Sequence, residues 1–81
     1  MRVRVRLFAG AKDLAGKDTV MLDVPASASV GDLRRRLAAE LPSLRGLVER
    51  CALAVNDEFA DDSLTLPMSA EIALLPPVSG G

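Results

Sequence analysis

SVGDLRRRLAAELP, residues 29–42, is the stretch of this chain that reads as a full helix. Ser29 is a residue type whose side chain accepts from the free N–H groups of a first helical turn. Asp32 stands at capping-box distance and places negative charge at the positive end of the helix dipole. Val30, Leu33, Leu37 and Leu41 recur at helical spacing and form one apolar stripe. Arg34, Arg35 and Arg36 take the other faces, and the Arg36–Glu40 spacing adds about 0.3 kcal/mol. Pro42 ends the run. A single helix of this kind has one face to bury, so the rest of the chain must supply a sheet to receive it.

The flanking segments do so. RVRVRLF (2–8) alternates strictly, Val3, Val5 and Leu7 against Arg2, Arg4 and Arg6, which is the pattern of a half-buried strand. Residues 9–18 are a long connection whose AKDLAG portion suits a helical turn. TVMLDVP (19–25) alternates again, with Val20, Leu22 and Val24 inward and Pro25 as its stop. These two strands are expected to form an antiparallel hairpin with a wide loop. Beyond the helix, a loop carries Leu44, Leu47 and Val48. CALAVN (51–56) is a strand with Leu53 and Val55 inward, and Asn56-Asp57 has turn chemistry. Phe59 opens a short return strand, ADDSLTLPMSA is irregular, and EIALLP (71–76) is the last strand, with Ile72 and Leu74 on one face. Strand, strand, helix, strand, short strand, strand is the order of a two-layer α+β domain: a β-grasp, ubiquitin-like mixed sheet packed on one main helix. A ferredoxin-like layout needs a second full helix, which residues 56–70 do not supply. Residues 1–75 make this one domain, and residues 76–81 extend from it as a tail.

Composition removes several functions. Among 81 residues there is no histidine and one cysteine. That excludes Ser-His-acid and Cys-His catalysis and the usual zinc and iron–sulfur ligand sets. The acidic group Asp57, Glu58, Asp61 and Asp62 lacks the spacing of a calcium loop and reads as a solvated loop. No glycine run precedes a lysine in the manner of a phosphate loop. Cys51 is read as a buried small hydrophobe, since nothing in the sequence lowers its pKa. It also fits a reducing cytoplasm, the compartment expected here. No run is long and apolar enough for a membrane span. The arginine stripe of residues 2–6 reads as a solvated sheet face and not as a nucleic-acid surface, because no aromatics interleave for base stacking. All ten basic residues lie in residues 1–50, whereas residues 51–81 hold only acids. The domain is therefore a poor enzyme by itself, and a better carrier or partner.

The tail sharpens this. Pro76-Pro77 fixes φ at two successive positions, so the chain is expected to leave the last strand as a stiff, extended rod. Val78, Ser79, Gly80 and Gly81 follow. Glycines without Cβ pass a narrow channel and leave the terminal carbonyl open to attack. A terminal carboxylate, ionised near neutral pH, needs activation before a nucleophile can add.

LLPPVSGG (74–81) is similar to the C-terminal signature of the molybdopterin synthase small subunit, a β-grasp sulfur-carrier family. LFAGAKDLAG (7–16), SVGDLRRRL (29–37) and AVNDEF (54–59) support the resemblance. It implies that an E1-like, ATP-dependent adenylyltransferase adenylates Gly81 and that a sulfurtransferase route converts the adenylate to a thiocarboxylate. AMP and sulfur are thus transient passengers at Gly81, with no permanent cofactor. The tail would then enter the large catalytic subunit, in an assembly of two small and two large subunits. There it would give sulfur to cyclic pyranopterin monophosphate, two transfers building the dithiolene of molybdopterin. On this resemblance Pro76, Pro77, Val78 and Ser79 line the insertion channel and Gly80 sits at its narrowest point. Phe8, taken to lie on the apolar side of the first strand's end, and Leu75 join a hydrophobic docking surface. The family often carries Gly-Asp before the last strand. Ser69-Ala70 stands there instead, implying a different turn and looser acidic contacts with the activating enzyme. Carriers for thiamine or tRNA thiolation, and ubiquitin-like modifiers, share the fold and the Gly-Gly end and remain alternatives.

Overall fold

A computed structural model describes residues 1–77. Strands β1 (Arg2–Leu7), β2 (Thr19–Asp23), β3 (Ala52–Val55), β4 (Glu58–Phe59) and β5 (Glu71–Leu75) form one sheet in the order β2-β1-β5-β3-β4. β1 and β2 are the expected antiparallel hairpin, while β1 and β5 lie parallel at the centre. β3 pairs antiparallel with both β5 and β4. Helix α2 (Val30–Glu40) carries Val30, Leu33 and Leu37 of the stripe read from the sequence, whereas Leu41 falls at its C-cap and is half-buried. Its capping box is complete: Ser29 Oγ accepts from the Asp32 N–H at 3.1 Å, and Asp32 Oδ2 accepts from the Ser29 N–H at 2.9 Å. Val30, Leu33 and Leu37 are fully buried against Val3, Val5, Leu7, Leu53, Val55, Ile72 and Leu74 from the sheet. Strand alternation and helix periodicity thus meet in one aliphatic core.

The connections are more ordered than their composition suggests. Residues 9–15 form a seven-residue helix, α1 (Ala9–Ala15), closed by Gly16 in the left-handed conformation at φ 72°. The segment read as a loop around Leu44, Leu47 and Val48 is a 3₁₀ turn (Pro42–Leu44) running into a short helix, α3 (Arg45–Val48). Pro42 supplies the N-terminal φ, and burial of Leu44 and Val48 holds the turns in place. Pieces of three and four residues are too short to show a period, which is why they read as loop.

The irregular segment 60–70 is a strap across the start of α2. Leu64 and Asp62 carbonyls accept from the Val30 and Gly31 N–H groups at 2.8 and 2.9 Å, satisfying two donors of the first turn. A Cβ on Gly31 would come within 3.2 Å of Asp62, so glycine permits this close approach. Arg34 ties the strap to the far end of the helical layer. Its guanidinium donates to the Val48 and Cys51 carbonyls at 2.6 and 2.7 Å and to Asp62 at 3.0 Å. The strap ends at Ser69, whose φ of 59° lies in the region glycine favours. Serine thus takes a left-handed backbone here, at a cost of about 1 kcal/mol.

Candidate functional site

The face of the sheet turned away from α2 carries the residues singled out for docking. Asn56 and Asp57, both at positive φ (51° and 69°), make the two-residue turn that joins β3 to β4. That turn sets Ala54 opposite Phe59, and Ala54 in turn faces Ala73 on β5. Ala73 lies beside Arg6, and Arg6 beside Thr19. One row therefore crosses all five strands on the outer face: Thr19, Arg6, Ala73, Ala54 and Phe59. The next row toward the end of β5 holds Leu75 with Ala52 as its partner. Phe8 extends the parallel register one step past the Leu7–Leu74 pair, to the flank of Leu75.

Phe8 thus corrects the sequence expectation. It follows Leu7 with extended backbone (φ −128°, ψ 156°), so it shares the side of Arg2, Arg4 and Arg6 and not the apolar side of the strand. It is half-buried and outside the core, and the Arg6 guanidinium lies over its ring at 5.4 Å from the centroid. The correction brings Phe8 and Leu75 together on one surface, at the end of β5 where the tail departs. Pro76 is half-buried there and Pro77 exposed. Val78, Ser79, Gly80 and Gly81, the remaining tail residues named from the sequence, lie outside the described residues.

Phe59 was read from the sequence only as a strand opener. It is 79% exposed, an aromatic ring standing open on the same face. The signal for it was present: a two-residue turn after Val55 forces Phe59 into the row of Ala54, opposite the inward Leu53 and Val55. Between Phe59 and the arginines the floor is low, because Ala54 and Ala73 present only methyl groups. A depression of about 440 Å³ results, lined by Arg4, Arg6, Thr19, Ala54, Glu71 and Ala73 among others.

The groups with chemical potential elsewhere are tied into structure. Cys51 is buried with a free thiol, in agreement with the sequence reading. Desolvation pushes its pKa up, against the opposing pull of Arg34 and Arg50. The Asp32 carboxyl is held below the usual range by the Ser29 backbone N–H, the Arg35 guanidinium and the Ser29 hydroxyl. Of the acidic group at 57–62, Asp62 is paired with Arg34 and Asp57 forms the turn. Among the described residues no three histidine, cysteine or acidic side chains gather to hold a metal ion. No helix there is long and apolar enough to cross a membrane.

A five-stranded mixed sheet closed by one main helix, with an apolar outer patch at the exit of its last strand, defines a ubiquitin-like β-grasp protein. The chain belongs to the ThiS family, whose model matches residues 5–81. It is 37% identical to the molybdopterin synthase sulfur carrier subunit of Dictyostelium discoideum, over 96% of this chain and 94% of that one. The crystal structure of SAMP1, small archaeal modifier protein 1 of Haloferax volcanii, superposes with a TM-score of 0.88 at 32% identity, covering both chains completely. A chain in the complex of subunits 1 and 2 of the molybdopterin-converting factor from Helicobacter pylori resembles this chain at 29% identity and a TM-score of 0.71, again over the whole of both chains.

Proposed function

We propose that this chain is the sulfur-carrying subunit of a molybdopterin synthase, acting in the cytoplasm. The observation that carries this reading is its full-length similarity to a chain named for that role. The chemistry begins at Gly81. Its carboxylate oxygen attacks the α-phosphorus of ATP in an E1-like activating enzyme, releasing pyrophosphate and leaving an acyl adenylate. A hydrosulfide equivalent, released from the sulfurtransferase's persulfide by an external thiol reductant, then displaces AMP and leaves a thiocarboxylate. The domain contributes no acid or base to these steps; it contributes reach and fit. Pro76 and Pro77 lower the entropy lost when the tail threads into a channel. Val78 and Ser79 line that channel, and Gly80 removes the Cβ that would block its narrowest point. Phe8, Leu75 and Phe59 seat the outer face on the large catalytic subunit, where the thiocarboxylate gives its sulfur to cyclic pyranopterin monophosphate.

The test is intact-mass measurement before and after incubation with ATP, activating enzyme and a sulfur source. The expected product gains the mass of one oxygen replaced by sulfur at Gly81 and then forms molybdopterin with the large subunit. No such gain, with the C-terminus intact, overturns this reading along with carriage for thiamine or tRNA thiolation. The likeness to SAMP1 favours a second reading, that of a protein modifier. That reading is supported by isopeptide-linked adducts formed with ATP in cell extract.

A further inference from the structure

We infer that the depression on the outer sheet face is a socket for an acidic partner surface. That surface would set a carboxylate against the arginine wall, at Arg6 above all, and place a slim apolar side chain over the floor of Ala54 and Ala73. The inference rests on the docking role proposed above and adds the chemistry that the partner must bring.

Two observations carry it. First, the central strands hold valine, leucine and isoleucine on the inner face but alanine at 52, 54 and 73 on the outer face. A half-buried sheet face ordinarily favours β-branched and aromatic residues. Alanines at these positions keep the floor low, and the depression of about 440 Å³ lies over Ala54 and Ala73. Second, the wall beside that floor is made of exposed arginines with no carboxylate partner: among the described residues neither Arg4 nor Arg6 forms an ion pair. Arg6 rests over the Phe8 ring, which holds its guanidinium in place for a fork-type contact with a carboxylate. Glu71 and Asp57 also line the depression. Glu71 stands in register beside Arg4, which leaves Arg6 as the arm of the wall with no acid next to it. Discrete carboxylates on a protein surface can meet Arg6 while staying clear of Glu71 and Asp57, which a continuous run of phosphates laid across the face cannot do, so the lining favours an acidic protein surface over a nucleic acid. The basic wall, low floor and acidic end together fix one orientation of the partner, as complementary charge does at steered interfaces.

The experiment measures affinity between the full chain and the large subunit at low and high salt. Arg6 has uncharged neighbours, Thr19 and Ala73, on both sides. Arg6→Glu should therefore fold, and it should weaken binding about tenfold or more and flatten its salt dependence. Should Arg6→Glu melt early, Arg6→Gln, neutral and of similar shape, must still reduce the salt dependence. Ala73→Leu, which fills the floor without changing charge, should weaken binding about tenfold. Arg36→Glu on the helical side should stay within about twofold. Unchanged affinity in the Arg6 variants or in Ala73→Leu overturns the inference and leaves the sulfur-carrier reading standing. Failure of the unaltered chain to bind the large subunit overturns the docking reading and the inference with it. Self-association abolished by Arg6→Glu, or RNA binding abolished by it, would assign the socket to another occupant and also overturn the inference.

Discussion

The two faces of β1, β3 and β5 are made from the same strands and have opposite chemistry. Inward, Val3, Val5, Leu7, Leu53, Val55, Ile72 and Leu74 are almost wholly removed from water beneath α2. Outward, each one residue away along the chain, stand Arg4, Arg6, Phe8, Ala52, Ala54, Ala73 and Leu75. The inner face carries stability through area buried. The outer face carries little of it and is free to carry recognition. A domain of 81 residues has little core to spare, so separating the two tasks by strand parity lets the recognition surface vary without loosening the fold.

The largest test of this division is Leu74→Ala. It removes a fully buried side chain from the central strand and should lower stability by about 2–5 kcal/mol in denaturant unfolding. A loss below about 1 kcal/mol would mean that the inner face is not where stability resides. Arg34→Ala should come next, at about 1.5–3 kcal/mol, because it takes the charged donor from the Cys51 carbonyl, leaves the Val48 carbonyl with only the longer bond from the Cys51 N–H, and frees the strap at Asp62. Ser29→Ala breaks the capping box and should cost about 1 kcal/mol in the same measurement. The partner of that box also predicts a pH dependence. The Asp32 pKa is lowered in the folded state, so its contribution is present above the unfolded-state value and is lost as pH falls through the folded one. Asp32→Asn should therefore flatten the acid limb of the stability curve. The smallest expected change in stability belongs to Phe59→Ala, within about 0.5 kcal/mol, since the ring is exposed. The same substitution should weaken large-subunit binding about tenfold or more, as loss of an aromatic anchor does. If Phe59→Ala unfolds the domain instead, the division between faces is wrong.

Much of the fold was legible because each major element obeys one period. The Arg-Val alternation placed β1, and the Val30, Leu33 and Leu37 stripe placed α2. Their mutual burial follows from there being one apolar face on each. The AKDLAG portion read as a helical turn, but the full extent of α1 and the turns at 42–48 were hidden for a different reason. α1 starts at Ala9 with φ 50°, includes Gly10 and has no side-chain cap, so its order comes from tertiary packing of Ala11 and not from local preference. The site was half legible. Leu75 and the prolines follow from the end of a strand. Phe8 was put on the wrong side although its even number matches Arg2, Arg4 and Arg6; its apolar character outweighed its parity. Phe59 was legible in position, through the two-residue turn that sets it opposite Ala54, but not in exposure, which depends on how the neighbouring strands are laid beside it.

The central position of β5 has a consequence for synthesis. Without residues 71–75 the chain holds two hairpins, β1–β2 and β3–β4, with no strand between them to join them into a sheet. A nascent chain can form those hairpins early, yet it gains the buried middle of the sheet only when its last strand has emerged. The parallel pairing of first strand with last makes folding wait for the segment from which the tail departs. A chain truncated before that strand is left with exposed apolar edges and is exposed to proteolysis. Native molecules are therefore expected to be those translated at least through residue 75, so a chain ending before β5 should show no cooperative unfolding transition.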